Sequence, residues 1–288
     1  HACGHDGHMA MVLGAAVVMK SLKSDLQGQL KFVFQPAEEG PGGAKPMIEE
    51  GVLENPHVDY CFGAHLWPTL PMGFIGIKPG PLMAAMDWFE LTICGRGGHG
   101  AMPHMCIDPI DVGAQVVNAL QRVVSRQMNP LKPAVITVGS FHGGTTPNII
   151  PDKVTISGTT RTFDRDVWQE LPKRMEEIIE GVCTSMGATY ELDYHQSYPP
   201  TVNDAEMADI AGYCAAEVVG RENVVEPEAT MTGEDMSFFL EKSKGCFLFL
   251  GTGREGGALL HNSKFDFDED ILLIGVETYC RIIFKLLS

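Results

Sequence analysis

Between residues 85 and 200 the hydrophobic pattern runs strand, helix, strand, strand, helix, strand, and no other feature restricts the fold as tightly. "DWFELTICGRG" alternates in part between apolar and polar positions, as a half-buried strand does. "DPIDVGAQVVNALQRVVSRQ" repeats its apolar residues at the spacing of an amphipathic helix. "AVITVGSFHGG" and "KVTISGTTRTF" read as two strands joined through a Pro/Asn turn. "DRDVWQELPKRMEEIIEGVCTSMG" reads as a second helix interrupted by Pro172 near its start, and "TYELDYHQSYPP" as the last strand. This β-α-β-β-α-β order is the split βαβ layout of ferredoxin-like domains.

On either side the pattern is that of an α/β protein. "HMAMVLGAAVVMKSLKS" is a helix with Asp6 as its expected N-cap, and "QLKFVFQP" a buried strand that ends at the Gly/Pro-rich loop "PAEEGPGGA". A short helix "AKPMIEEG", the strand "VDYCFGAHLWP" and the extended "GFIGIKPGP" follow. From Asn203 onwards come a helix "DAEMADIAGYCAAEVVG", a shorter one "GEDMSFFLEKS", a buried strand "CFLFLGTG" and a closing helix "DEDILLIGVETYCRIIFKLL". The expected architecture is one α/β domain built from residues 1–84 and 201–288, with a ferredoxin-like domain, 85–200, inserted between them.

A formal net charge of −16 argues against a nucleic-acid partner, which calls for a basic face. Apolar runs are broken by charge or glycine before the ~18 residues a membrane helix needs. Eight cysteines are scattered without a CxxC pair, and most sit in apolar strand or helix patterns, so reduced thiols and a cytoplasmic location are expected. The chain opens on histidine directly in a ligand-rich loop, and it reads as truncated at its N-terminus.

That loop, "HACGHDGH", holds the first chemistry. Cys3 and His5 are two apart, so both side chains project to one side of an extended loop, and thiolate and imidazole are good ligands for divalent ions. His1 and His8 are further candidates; the competing reading is a capped helix start with incidental histidines. Glu38 and Glu39 are adjacent carboxylates at the end of the expected strand. They repel unless a cation or shared proton offsets the repulsion, although a solvated acidic turn would carry the same pair. One could bind metal while the other stays free as a general base. His65 ends an apolar strand and His261 follows an apolar stretch, positions a core histidine could also occupy. Taken together, these residues form the pattern a two-metal hydrolase needs.

Seven stretches occur in order: "HACGHDGHMAMVLGAA", "FVFQPAEEGPGGAKPMI", "FGAHLWPTLPMG", "GRGGHGAMPH", "TPNIIPD", "GTTRTF" and "LLHNSKFDFDE". Together they closely resemble the M20 metallopeptidase family, in its amidohydrolase branch of N-acyl-amino-acid, hippurate and auxin-conjugate hydrolases. The resemblance implies a dinuclear-metal, aminopeptidase-like α/β catalytic domain whose insert is a lid that also dimerises. It implies two divalent metal ions, Mn²⁺ or Zn²⁺, held by Cys3, His5, Glu39, His65 and His261, with the cysteine sulfur bridging and Glu38 as general base. His99 would stabilise the oxyanion, commonly in the neighbouring subunit's site. Asn148 and Arg161 would hold the carbonyl and carboxylate of a small N-acyl amino acid substrate. Family members carry a further N-terminal segment before "HACGH". "MAAMD" and the "HQSYPP" region are expected to line the acyl pocket.

"GRGGHG" satisfies the GxGxxG pattern of dinucleotide-binding turns, but Pro103 intervenes before the next helix and "AQVVNAL" fills the window where an acidic residue belongs. A metal-binding or dimerising scaffold without turnover, or a deacetylase of the diaminopimelate pathway, would share the ligand set. Retention of Glu38, His99 and Arg161 together favours an enzyme.

Overall fold

The computed structural model of the chain describes residues 2–288, so His1, one of the candidate ligands, lies outside the described residues. The first stretch holds α1 (His5–Ser21), α2 (Ala44–Glu49), β1 (Tyr60–Pro71), β2 (Ile75–Gly76) and β3 (Gly80–Met83). The middle holds β4 (Ala85–Cys94), β5 (Gly98–His99), α3 (Pro109–Arg122), β6 (Ala134–Gly143), β7 (Ile149–Ile150), β8 (Lys153–Thr162), α4 (Arg165–Ser185) and β9 (Thr189–Tyr198). The last stretch holds β10 (Thr201–Asn203), α5 (Ala205–Val219), β11 (Val224–Val225), α6 (Ser237–Lys242), β12 (Lys244–Gly253) and α7 (Asp270–Leu287). The chain divides into two compact units: residues up to Leu82 with Thr201–Ala229 and Asp235–Ser288, and Met83–Pro200 with Thr230–Glu234.

The first unit is built on a mixed sheet in the order β1-β12-β2-β11. β12 is buried along almost its whole length, which explains its unbroken apolar run, and it pairs in parallel with β1, His65 lying opposite Phe249. Met11, Leu66, Ile75, Leu248, Leu250, Ile271 and Ile282 fill the core between this sheet and helices α1, α5 and α7. α1 buries Gly7, Met11, Ala15 and Met19, one row at i, i+4 spacing. It meets α7 where a side chain at Gly275 would put its Cβ 2.1 Å from Met11 Sδ, so glycine sets how closely the two helices approach.

In the second unit four antiparallel strands stand in the order β6-β8-β4-β9. β4 alternates strictly enough that Asp87, Phe89, Leu91 and Ile93 share its buried face. α3 contributes Val112, Val116 and Leu120 to that core, and α4 contributes Val167, Leu171, Met175 and Ile179. Asp108 and Asp164 cap the two helices through Ile110 N and Val167 N. β5 and β7 form a separate two-stranded pair.

Four local expectations are corrected. α1 begins at His5 behind Gly4, whose φ of 79° is left-handed, so Asp6 lies inside the first turn rather than at the cap. Its charge still favours a helix N-terminus. α4 runs unbroken through Pro172. The carbonyl a proline leaves without its helical N–H is that of Trp168, and the Gln196 side chain donates to it at 3.0 Å. "QLKFVFQP" is not a strand: among the described residues it has no ladder partner, and Leu30 and Phe34 are exposed. An apolar, β-prone run forms a strand only beside a neighbour that takes its hydrogen bonds. His65, finally, sits in the middle of β1 rather than at its end.

Candidate metal centre

Three loops and a strand of the first unit converge on one place. Cys3 lies just before α1, and His5 is that helix's first residue. Glu38 and Glu39 occupy the turn that precedes α2, His65 stands on β1, and His261 lies in the loop between β12 and α7. Their donor atoms group into three overlapping sets: Cys3 with His5 and His65; Cys3 with Glu39 and His261; His5 with Glu38 and Glu39. Within each set the atoms lie within 4.8 Å of one another. Cys3, His5 and Glu39 each belong to two sets, which is the arrangement two neighbouring cations would need in order to share ligands.

The site grades from a buried floor to an open rim. Cys3 is 7% and His65 5% exposed, whereas the His261 side chain is 64% exposed. Cys3 Sγ lies 3.5 Å from His65 Nε2. His5 Nε2 stands 3.6 Å from Glu38 Oε2 and 3.8 Å from Glu39 Oε1, and His261 Nε2 is 3.3 Å from Glu39 Oε1. Backbone strain marks the two outer arms. Ala37 (φ 59°), beside Glu38, and His261 (φ 61°) both adopt the left-handed conformation that side-chain-bearing residues avoid, a strain of order 1 kcal/mol or more each. His261 is tied by its N–H to Ala2 O at 2.7 Å, which joins the loop between β12 and α7 to the segment before α1 at the site.

Hydrogen bonds fix the state of the imidazoles. His65 Nδ1 faces the Leu66 carbonyl at 2.8 Å and must carry the proton there, which leaves the Nε2 lone pair facing Cys3. Leu66 N–H donates to His8 Nε2 at 3.0 Å. His8 is therefore an acceptor that packs against the His65 ring, with centroids 4.5 Å apart, and it is absent from the converging donor sets. Burial pushes His65 down to about 4, with the Leu66 carbonyl opposing. Burial, then the charges of His65 and His5, holds His8 well below the ordinary histidine range. Both rings are thus neutral at neutral pH. Glu38 moves the other way: burial first, then the charges of Glu39 and Asp235, push it up to about 7. One thiol, three histidines with lone pairs to offer, and two carboxylates make a donor set that fits a pair of divalent cations of the zinc or manganese type.

The remaining expected residues belong to the second unit. The register of β5 and β7 sets His99 opposite Ile149, and Asn148 O accepts from Gly100 N at 2.8 Å, so His99 and Asn148 are neighbours. Ala101 N–H donates to His99 Nδ1 at 3.1 Å. In the neutral ring that leaves the proton on Nε2, an outward hydrogen-bond donor. Arg161, on β8, lies opposite Met86 of β4, and its Nη1 donates to Thr160 O at 2.8 Å. Beneath it Asp87 is buried and accepts from Trp168 Nε1, Tyr194 OH and Ser197 N, each at 2.9 Å. Pairing of β4 with β9 sets "MAAMD" beside "HQSYPP", with Met86 opposite Tyr198. Sequence reasoning missed His8 as a supporting group, included Asp87 only within the expected acyl-pocket stretch "MAAMD" and not as a buried acceptor, and missed Asp235 altogether. Asp87 carried a signal, a carboxylate in register with the apolar face of its strand.

The chain matches the description of peptidase family M20/M25/M40 over residues 1–285. It is 40% identical over 291 residues to thermostable carboxypeptidase 2 of Saccharolobus solfataricus, covering 99% of this chain and 73% of that protein. It is 38% identical over 282 residues to the N-acetylcysteine deacetylase of Bacillus subtilis, covering 98% and 73%. Among solved structures it resembles the YxeP protein of Bacillus subtilis, described as a dinuclear metal-binding peptidase. The TM-score is 0.82 at 34% identity, over 100% of this chain and 73% of that one.

Proposed function

Since the chain belongs to peptidase family M20/M25/M40, we propose that it cleaves the amide bond of N-acyl amino acids or similar small conjugates. The enzyme is a metal-dependent hydrolase of amide bonds. The observation that carries the reading is the convergence of Cys3, His5, Glu38, Glu39, His65 and His261 in three overlapping donor sets. Cys3, His5, Glu39, His65 and His261 would hold two divalent cations, Mn²⁺ or Zn²⁺. When bound, these supply the Lewis acidity that activates water and stabilises developing negative charge.

The chain's own groups divide the rest of the work. Glu38 accepts a proton from the attacking water and returns it to the leaving amine. His99 offers its Nε2–H to the oxyanion. Asn148 binds the substrate carbonyl and Arg161 its free carboxylate, the planar guanidinium matching the two oxygens. Thermostable carboxypeptidase 2 and N-acetylcysteine deacetylase carry names that imply substrates with such a carboxylate. In the same reading the second unit is a lid and dimerisation domain, and the eight free thiols suit a reducing, cytoplasmic compartment.

The test is amino-acid release from a pool of N-acetyl-, N-benzoyl- and indoleacetyl-amino acids, after chelation and again with Mn²⁺ restored. Release that returns with the metal supports the reading. No release from any member, with the metal bound, overturns the substrate class.

A further inference from the structure

Glu38 and Glu39 sit on a loop, residues 36–42, with little regular structure of its own. Two bonds lie within it, Gly40 N and Gly42 N each donating to Ala37 O, at 3.2 and 3.0 Å. Its neck is held by one side chain about 200 positions away in the sequence. Asp235, fully buried next to α6, accepts from Gln35 Nε2 at 2.7 and 2.8 Å on its two oxygens. Gln35 precedes the loop. The same carboxylate accepts from Gly43 N at 2.9 Å and Ala44 N at 3.0 Å, the two residues that follow the loop and start α2. Both ends of the loop are therefore fastened to a single acid. They are pressed together closely enough that a Cβ at Gly43 would lie 1.9 Å from Pro36 O.

We infer that Asp235 is a positioning residue for the reaction: by closing the neck of the 36–42 loop it sets where Glu38 and Glu39 stand. The inference rests on the proposed roles of Glu38 and Glu39. An apolar side chain could fill the space, but it would leave the buried N–H groups of Gly43 and Ala44 unpaired and take from Gln35 its carboxylate partner. Asparagine could accept from Gly43 and Ala44 through its one oxygen, while its NH₂ group would face the Gln35 amide. Only a carboxylate takes all of these donors at once. A group that holds ligand-bearing chain in this way commonly changes metal affinity or activity by 10- to 100-fold when removed.

The experiment compares Asp235→Ala, Asp235→Asn and Gln35→Leu with the parent and with Glu38→Gln. Mn²⁺ affinity is read by calorimetric titration of the chelated proteins, loop order by hydrogen exchange of amides 37–44 without metal, and kcat and KM with an N-acetyl amino acid. For Asp235→Ala we expect Mn²⁺ binding weaker by roughly 10-fold or more, a comparable fall in kcat with KM changed less than about 3-fold, and faster exchange at Gly43 and Ala44. Asp235→Asn should recover part of each, and Gln35→Leu should move them in the same direction by less. Mn²⁺ affinity and kcat within about 2-fold of the parent in Asp235→Ala overturn the inference; should that variant fail to fold, the same result in Gln35→Leu does so. Parental kcat in Glu38→Gln overturns the general-base role instead, while metal affinity and loop exchange still decide the role of Asp235.

Discussion

Replacing Glu38 by glutamine should make the metal-free protein more stable, and only at higher pH. Burial and the neighbouring charges of Glu39 and Asp235 raise the Glu38 carboxyl from 4.5 to about 7, so the folded state prefers it protonated. Stability from this preference is complete below 4.5 and is lost as pH rises through 7, because the folded state binds the proton that the unfolded state has released. At about 1.4 kcal/mol per pH unit the interval amounts to roughly 3 kcal/mol. The Glu38 side chain keeps 21% of its exposure, and solvent screening reduces the figure to roughly 2–3 kcal/mol. His65 and His8 oppose this trend. Their depressed values give stability that is present above the ordinary histidine range and lost as pH falls. The slope of the parent alone is therefore a compromise, and the informative quantity is the difference between Glu38→Gln and the parent, both of which carry the histidines. Urea unfolding of the chelated proteins should give nearly equal stabilities at about pH 4.5 and a 2–3 kcal/mol advantage for the variant at about pH 8. Mn²⁺ should erase that advantage, since bound cations favour the ionised carboxylate. A difference that stays flat within about 0.5 kcal/mol between the two pH values would refute the reasoning.

Two further outcomes follow from the second unit. Asp87→Ala leaves the donors of Trp168 and Ser197 without their acceptor while Tyr194 OH keeps Thr160 Oγ1, and we expect a loss of roughly 2–4 kcal/mol in urea unfolding; a loss under about 1 kcal/mol would contradict the network. Arg161→Lys exchanges a planar fork for a point charge, so KM for a carboxylate-bearing substrate should rise about 10-fold or more with a smaller change in kcat. The matching carboxamide substrate should show no such rise, and an equal rise for both would remove Arg161 from carboxylate recognition.

Much of this protein was legible in the order of its residues. The alternation of β4 and the i, i+4 rows of α1 and α4 place apolar side chains on one face, and that periodicity depends only on local geometry. The donor types were equally plain: a thiol, imidazoles and paired carboxylates announce divalent-cation chemistry wherever they converge. What the order could not supply was the convergence itself. Cys3 and His65 are 62 positions apart, and Asp235 lies about 200 positions from the loop it fastens. No local rule relates them. The same holds where expectation and structure part. Residues 29–36 carry a strand-like pattern without a ladder partner among the described residues, and Pro172 passes through a helix where Gln196, brought alongside by β9, satisfies the orphaned carbonyl. The sequence by itself determined which side chains are apolar, which can bind a cation, and at what period they repeat. Only the tertiary structure decided which buried donor meets which acceptor, and with it the tautomers of His65 and His8, the protonation of Glu38 and the place of Asp235. Those depend on long-range packing that excludes water, and an unpaired polar group is costly only where water cannot reach it.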